Sequence, residues 1–200
     1  MTILMALVDY IPVILFLIAA VTLQRGMYEK MSKGAFALFS AGSISVFVAG
    51  LFKATWKLLY AANICDFERL NNAFFPMQST GFLLAGLGIV AMVFFPQEKK
   101  TKLREAAAPA VFSGTMIFVS LMVLGVLMMN GGLAVEAFRK KKKGTSVLFI
   151  IAFVMMLMMG YLSSRDFTKP ILNWMGEVVN IVGQLCFLLG ARGLCKSESN

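Results

Sequence analysis

Apolar residues run along this chain in blocks about 20 long, separated by short polar stretches, instead of recurring every third or fourth position. A hydrocarbon layer about 30 Å thick takes roughly 20 apolar residues to cross as helix, so each block predicts a transmembrane span. Six are expected, at about 6–23, 35–60, 76–95, 108–129, 145–162 and 171–194. The expected fold is an all-α integral membrane protein.

Polar positions inside the blocks carry the remaining information. In the last block Asn173, Glu177, Asn180 and Gln184 fall within an arc of roughly 60° at 100° per residue, forming one polar stripe. In the second block Lys53 and Lys57 share a face with Tyr60. They read either as lysines snorkelling beside an aromatic belt or as a cationic site at a cavity mouth. Asn71 and Gln78, the latter early in the third block, share a face, and Asn63 to Phe75 is expected to be a long polar connection. Asp9 and Pro12 suit an interfacial first turn, and Asn130-Gly131-Gly132 marks a break or turn after the fourth block.

The blocks repeat. Shifting by 102 positions superposes Asn71 on Asn173, Gln78 on Asn180, Gly81 on Gly183 and Gly88 on Gly190. Shifting by 110 superposes Lys33-Gly34 on Lys143-Gly144, Phe39 on Phe149 and Gly50 on Gly160. Asp66-Phe67 recurs as Asp166-Phe167. The expected organisation is a first three-helix repeat at 1–96, a charged linker at 97–107 and a second repeat at 108–200. Three crossings per repeat would turn the second copy upside down, an arrangement known in transporters. A re-entrant element over 107–138 is the other topology considered. With the copies inverted, the basic loops after the first and fourth spans lie on opposite faces, and the positive-inside rule gives no orientation. Glu177 aligns with Phe75 and Lys53 with Ser163, so each copy owns a charge the other lacks.

Composition narrows the chemistry. The formal net charge of +9 sits in clusters beside apolar blocks, a pattern for headgroups and topology and not for nucleic acid. The run Arg139, Lys140, Lys141, Lys142, Lys143 is the strongest such cluster, with anionic lipid headgroups as its expected partner. Three cysteines without a CxxC pair and no histidine speak against a disulfide scaffold, a metal site or another cofactor. Met1 to Leu23 lacks a basic leading region and reads as a retained helix. No GxSxG, HExxH or Walker motif occurs, so no enzyme is expected; one would have to use Asp66, Glu68 or Glu177.

The expected function is a multi-pass transporter or channel of the plasma (inner) membrane for a small polar or anionic solute. Glu177, Asn173, Asn180, Gln184, Asn71 and Gln78 would line its cavity, with Lys53 or Lys57 as the counter-charge. The alternative is a non-transporting receptor, substrate-capture subunit or assembly partner that binds a lipid, a small ligand or another membrane protein. A homo-oligomer or a larger membrane complex fits either reading.

Overall fold

In a computed structural model, residues 2–95, 115–163 and 170–196 are described. The helices are α1 (Ile3–Val8), α2 (Tyr10–Met27), α3 (Lys33–Ala61), α4 (Glu68–Phe94), α5 (Thr115–Arg139), α6 (Lys143–Ser163) and α7 (Pro170–Cys195), with a short 3-10 turn at Tyr28–Lys30. With α1, α2 and that turn taken as one span, six helices are long and apolar enough to cross a membrane.

Proline chemistry divides α1 from α2. Pro12 has no N–H, and its ring crowds the carbonyl four residues back, at Val8. The helix stops at Val8 and restarts at Tyr10, leaving Asp9 at the break and Pro12 in the first turn of α2. Ser32 caps α3 by accepting from the Ala35 N–H at 3.2 Å. Asn63, at φ 54°, and Lys141, at φ 58°, take the left-handed conformation just beyond α3 and α5.

Two sequence expectations fail for local reasons. The polar stretch before Pro76 is not one long connection, because α4 begins at Glu68 and runs through Pro76. Asn130-Gly131-Gly132 neither turns nor breaks the chain, and α5 continues as one helix to Arg139. Asn130 Nδ2 donates to the Val126 carbonyl at 3.1 Å. A Cβ on Gly132 would lie 2.6 Å from Ile89 Cγ2, so that glycine serves close packing with α4. The described part of the proposed re-entrant element is this same continuous helix. The charged linker lies outside the described residues, as do Asp166-Phe167 and the start of the fourth expected span.

Each long helix packs on its neighbours in sequence, and α7 closes the ring on α2. Point contacts fix the directions. Gly42 meets Ala85 and Gly88 meets Phe39, so α3 and α4 are antiparallel. Gly183 meets Met155 and Gly190 meets Phe149, so α6 and α7 are antiparallel too. Ser146 Oγ donates to the Ala134 carbonyl at 3.0 Å, which makes α5 and α6 antiparallel. By contrast, Gly125 faces Phe82, Gly132 faces Ile89, and Arg139 Nη1 donates to the Val93 carbonyl at 2.7 Å. α4 and α5 therefore run the same way, as do α2 and α7, where Phe16 stacks on Phe187 and Gly26 meets Cys195.

The inversion of 108–200 relative to 1–96 expected from the sequence is therefore not the arrangement of the described helices. α1/α2, α4, α5 and α7 point one way, α3 and α6 the other, so α5–α7 repeats the directions of α1–α4. The equivalence extends to contacts: Gly88 on Phe39 and Gly190 on Phe149 are the pairs that the shifts of 102 and 110 match. Phe95 ends at one face of the bundle, while Thr115 begins at the other, about 36 Å away by the 1.5 Å rise of α5.

Parallel copies collect charge. Among the described residues one end of the bundle holds Arg25, Lys30, Lys33, Arg139, Lys140, Lys141, Lys142, Lys143, Arg192 and Lys196 against Glu29 and Glu136. The other end holds Lys53, Lys57 and Arg69 against Asp9, Asp66, Glu68 and Glu177. The near balance of faces expected from inversion is replaced by a strongly basic end.

Several of those cations also serve the fold. Arg139 caps the last turn of α4 at Val93, and Lys142 Nζ donates to the carbonyls of Gly193 at 3.0 Å and Lys196 at 2.7 Å. Positive groups at helix C-termini complement the macrodipole. The space within the ring is filled by Phe16, Phe82, Phe149 and Phe187, which contact one another edge-on or stacked.

Candidate functional site

At the end away from the basic cluster, three charged side chains from three helices meet inside the bundle. Lys57 on α3 contacts Asp9 Oδ2 at the α1–α2 break and donates to Glu177 Oε1 on α7 at 3.0 Å. Their side chains are 13%, 9% and 3% exposed, respectively. Lys57 sits one turn before the end of α3 and Glu177 two turns into α7. The cluster therefore lies about 6–10 Å below that end at 1.5 Å per residue.

The helix break places Asp9 here. Asp9 closes α1 and meets Lys57, and the next residue, Tyr10, hydrogen-bonds Thr55 on α3 at 3.1 Å. Sequence reading assigns Asp9 to an interfacial turn. Its neighbouring proline was the available signal, since a proline one turn into an apolar helix frees a carbonyl and bends the chain.

Lys53, one turn before Lys57, belongs to a separate arrangement. Its Nζ donates to Asn71 Oδ1 on α4 at 2.6 Å and stands 5.0 Å from the Trp56 ring and 5.4 Å from the Phe74 ring. Trp56 Nε1 in turn donates to Asp66 Oδ1 at 2.9 Å. Beside these groups an open depression of about 420 Å³ is lined by Tyr60, Ala61, Asn63, Cys65 and Asp66. Of the two lysines that could face Glu177, Lys57 is the one that does.

The polar stripe of α7 separates along its length. Glu177 and Gln184 are buried, whereas Asn173 and Asn180 are half-buried, as is Gln78 on α4. Among the described residues, Glu177 Oε2 and Gln184 Oε1 are buried with no hydrogen-bond donor. Asn71 is the one member of the predicted set that joins Lys53. Among the described residues no three His, Cys, Asp or Glu side chains converge as metal ligands do.

Chemically, the cluster sets two carboxylates on one ammonium in a low-dielectric environment. Such a group changes its charge balance when a proton or ion is exchanged, and it ties together whatever elements carry its members. Asp9 and Lys57 belong to the first three-helix unit and Glu177 to the second. Compared with known protein families, curated proteins and solved structures, the chain shows no match.

Proposed function

We propose that this chain is an integral membrane transporter for a small polar or anionic solute, in which the two three-helix units move against each other around the Asp9–Lys57–Glu177 cluster. The observation that carries the reading is the Lys57–Glu177 contact, a buried charged link across the boundary between the units, beside a broken helix. Intramembrane ionisable groups and discontinuous helices are recurrent parts of transport sites. Parallel three-helix units related by an axis along the membrane normal are one of the repeat arrangements transporters use. Lys53, held by Asn71 beside Trp56, is the cation a solute anion entering from the depression would meet.

The basic end sets the orientation. Cytoplasmic loops are enriched in Lys and Arg, so Arg139–Lys143 face the cytoplasm and the Lys57 cluster opens toward the outer side of the plasma (inner) membrane. The cations left over from helix capping meet anionic headgroups there. Thr2 and Lys196 then lie on opposite sides.

The phenylalanine-filled centre favours one second reading, a non-transporting receptor, capture or assembly module that uses the same outer site. Flux of candidate small anions by purified protein in liposomes separates the two. Transport reduced at least tenfold by both Glu177→Gln and Lys53→Met supports the proposal. Absence of flux, together with co-purification in a larger complex, replaces it with the second reading.

A further inference from the structure

We propose that Glu177 is an exchangeable proton site, and that protonation of its carboxylate removes the charged link between the second three-helix unit and the first. The inference rests on the transporter reading for its physiological role but stands on geometry of its own. Lys57 is shared unequally in chain terms: Asp9 and Lys57 are both in the first unit, so of the two ion pairs in the cluster the Lys57–Glu177 one crosses the boundary. Of the two Glu177 oxygens, Oε1 accepts from Lys57 at 3.0 Å, while Oε2 is buried with no donor among the described residues; Asp9 Oδ2, the other such buried carboxylate oxygen in the cluster, has its ion pair with Lys57. Two turns deeper on the same face of α7, Gln184 Oε1 is also buried without a donor. Both atoms are acceptors, so the chemistry they require is a hydrogen on an electronegative atom. A proton on Glu177 Oε2 is the smallest species that provides one.

The exchange balances without a co-reactant. An O–H bond forms at Oε2 as a proton arrives from water at the outer end, and the carboxylate loses its negative charge. The neutral acid no longer holds the ammonium by charge. Lys57 stays protonated and keeps Asp9, an ion pair entirely within the first unit. Loss of the proton restores the cross-unit link. A group that ties α7 to α3 in one protonation state and not in the other gives a transporter its coupling ion.

The groups around Glu177 permit this assignment. Asp9 and Tyr10 come from the break between α1 and α2, and Lys57 and Lys53 from α3. Lys53 is engaged by Asn71 and does not contact Glu177. From α6, Tyr161 at this end is exposed. With Lys57 as the one ammonium in contact with two carboxylates, one added proton leaves the cluster neutral.

The test is infrared difference spectroscopy of the full chain in lipid nanodiscs, acid minus alkaline buffer. The wild type is expected to show a protonated-carboxyl C=O band that exchanges slowly with deuterium, as a buried acid does. Glu177→Gln should remove it, while Asp66→Asn at the rim should leave it. Circular dichroism of each variant verifies folding. A wild type with no such band, or a band that survives Glu177→Gln, overturns the proposal. Solute flux is measured on the same preparations: a Glu177 band without flux retains the proton site and removes the transporter reading. Flux that is indifferent to a proton gradient and to Glu177→Gln removes the coupling role.

Discussion

Replacing Lys57 by methionine is the most direct perturbation of the cluster. The substitution preserves most of the side-chain length and volume, so it opens little cavity, but it removes the one cation in contact with Asp9 and Glu177. Two carboxylates, 9% and 3% exposed, then face each other without a counter-ion. Removing one partner of a buried ion pair costs about 3–5 kcal/mol, because the charge left behind has neither water nor a partner. Lys57 is itself only 13% exposed, so solvent screening reduces this little. Lys57→Met should therefore lose about 4 kcal/mol.

The triple variant Asp9→Asn, Lys57→Met, Glu177→Gln has no charge to strand and should recover to within about 2 kcal/mol of wild type, the range left by imperfectly satisfied amides. The measurement is equilibrium unfolding in mixed micelles of increasing denaturing surfactant, followed by helical circular dichroism. Lys57→Met within about 1 kcal/mol of wild type would show that the cluster is hydrated and energetically idle. A triple variant no more stable than the single one would refute the stranded-charge account.

Two further outcomes follow from the fold. Cys65 is exposed at the end that holds the Lys57 cluster, whereas Cys195 lies at the basic end with its Sγ 3.5 Å from the Thr22 carbonyl oxygen. A membrane-impermeant maleimide applied to intact cells should label Cys65 and reach Cys195 only after permeabilisation; the reverse pattern inverts the orientation. The matched glycines should differ in cost: a Cβ on Gly88 would lie 2.7 Å from backbone atoms of Ala35 and Phe39, while one on Gly190 meets the Phe149 ring at 3.0 Å. Thermal melts should place Gly88→Ala about 2 kcal/mol below wild type and Gly190→Ala within about 1 kcal/mol, because a ring shifts more readily than a backbone. Gly144→Ala, with nothing within 4 Å of the new methyl, should be neutral or gain up to about 1 kcal/mol.

The helices were legible in the sequence because apolar blocks long enough to cross a hydrocarbon layer leave the backbone few other ways to satisfy its hydrogen bonds. The pairing of a lysine with Glu177 was legible for a related reason: one buried charge in an apolar helix demands another, and Lys53 and Lys57 were the nearby cations with helical spacing. Which lysine answers was not. Both share a face of α3, and the choice rests on where α4 and the α1–α2 break present Asn71 and Asp9. Asp9 escaped because a carboxylate near a chain end has water as its default partner; the packing of α1 and α2 on α3 is what brings it to Lys57. Asn130-Gly131-Gly132 misled because the residue types of a turn are also those of a tight helix contact, and only the presence of Ile89 across the gap distinguishes them.

By itself, then, the sequence determined the number of the long helices, the polar stripe on the last of them and the internal correspondence of glycines with phenylalanines. These depend on residues within one helix or on spacing along the chain. The direction of the second unit, the gathering of cations at one end and the meeting of Asp9, Lys57 and Glu177 were decided by the tertiary structure. Each depends on how separate helices are ordered around the ring, and that order is set by packing between surfaces whose apolar patterns look alike one helix at a time.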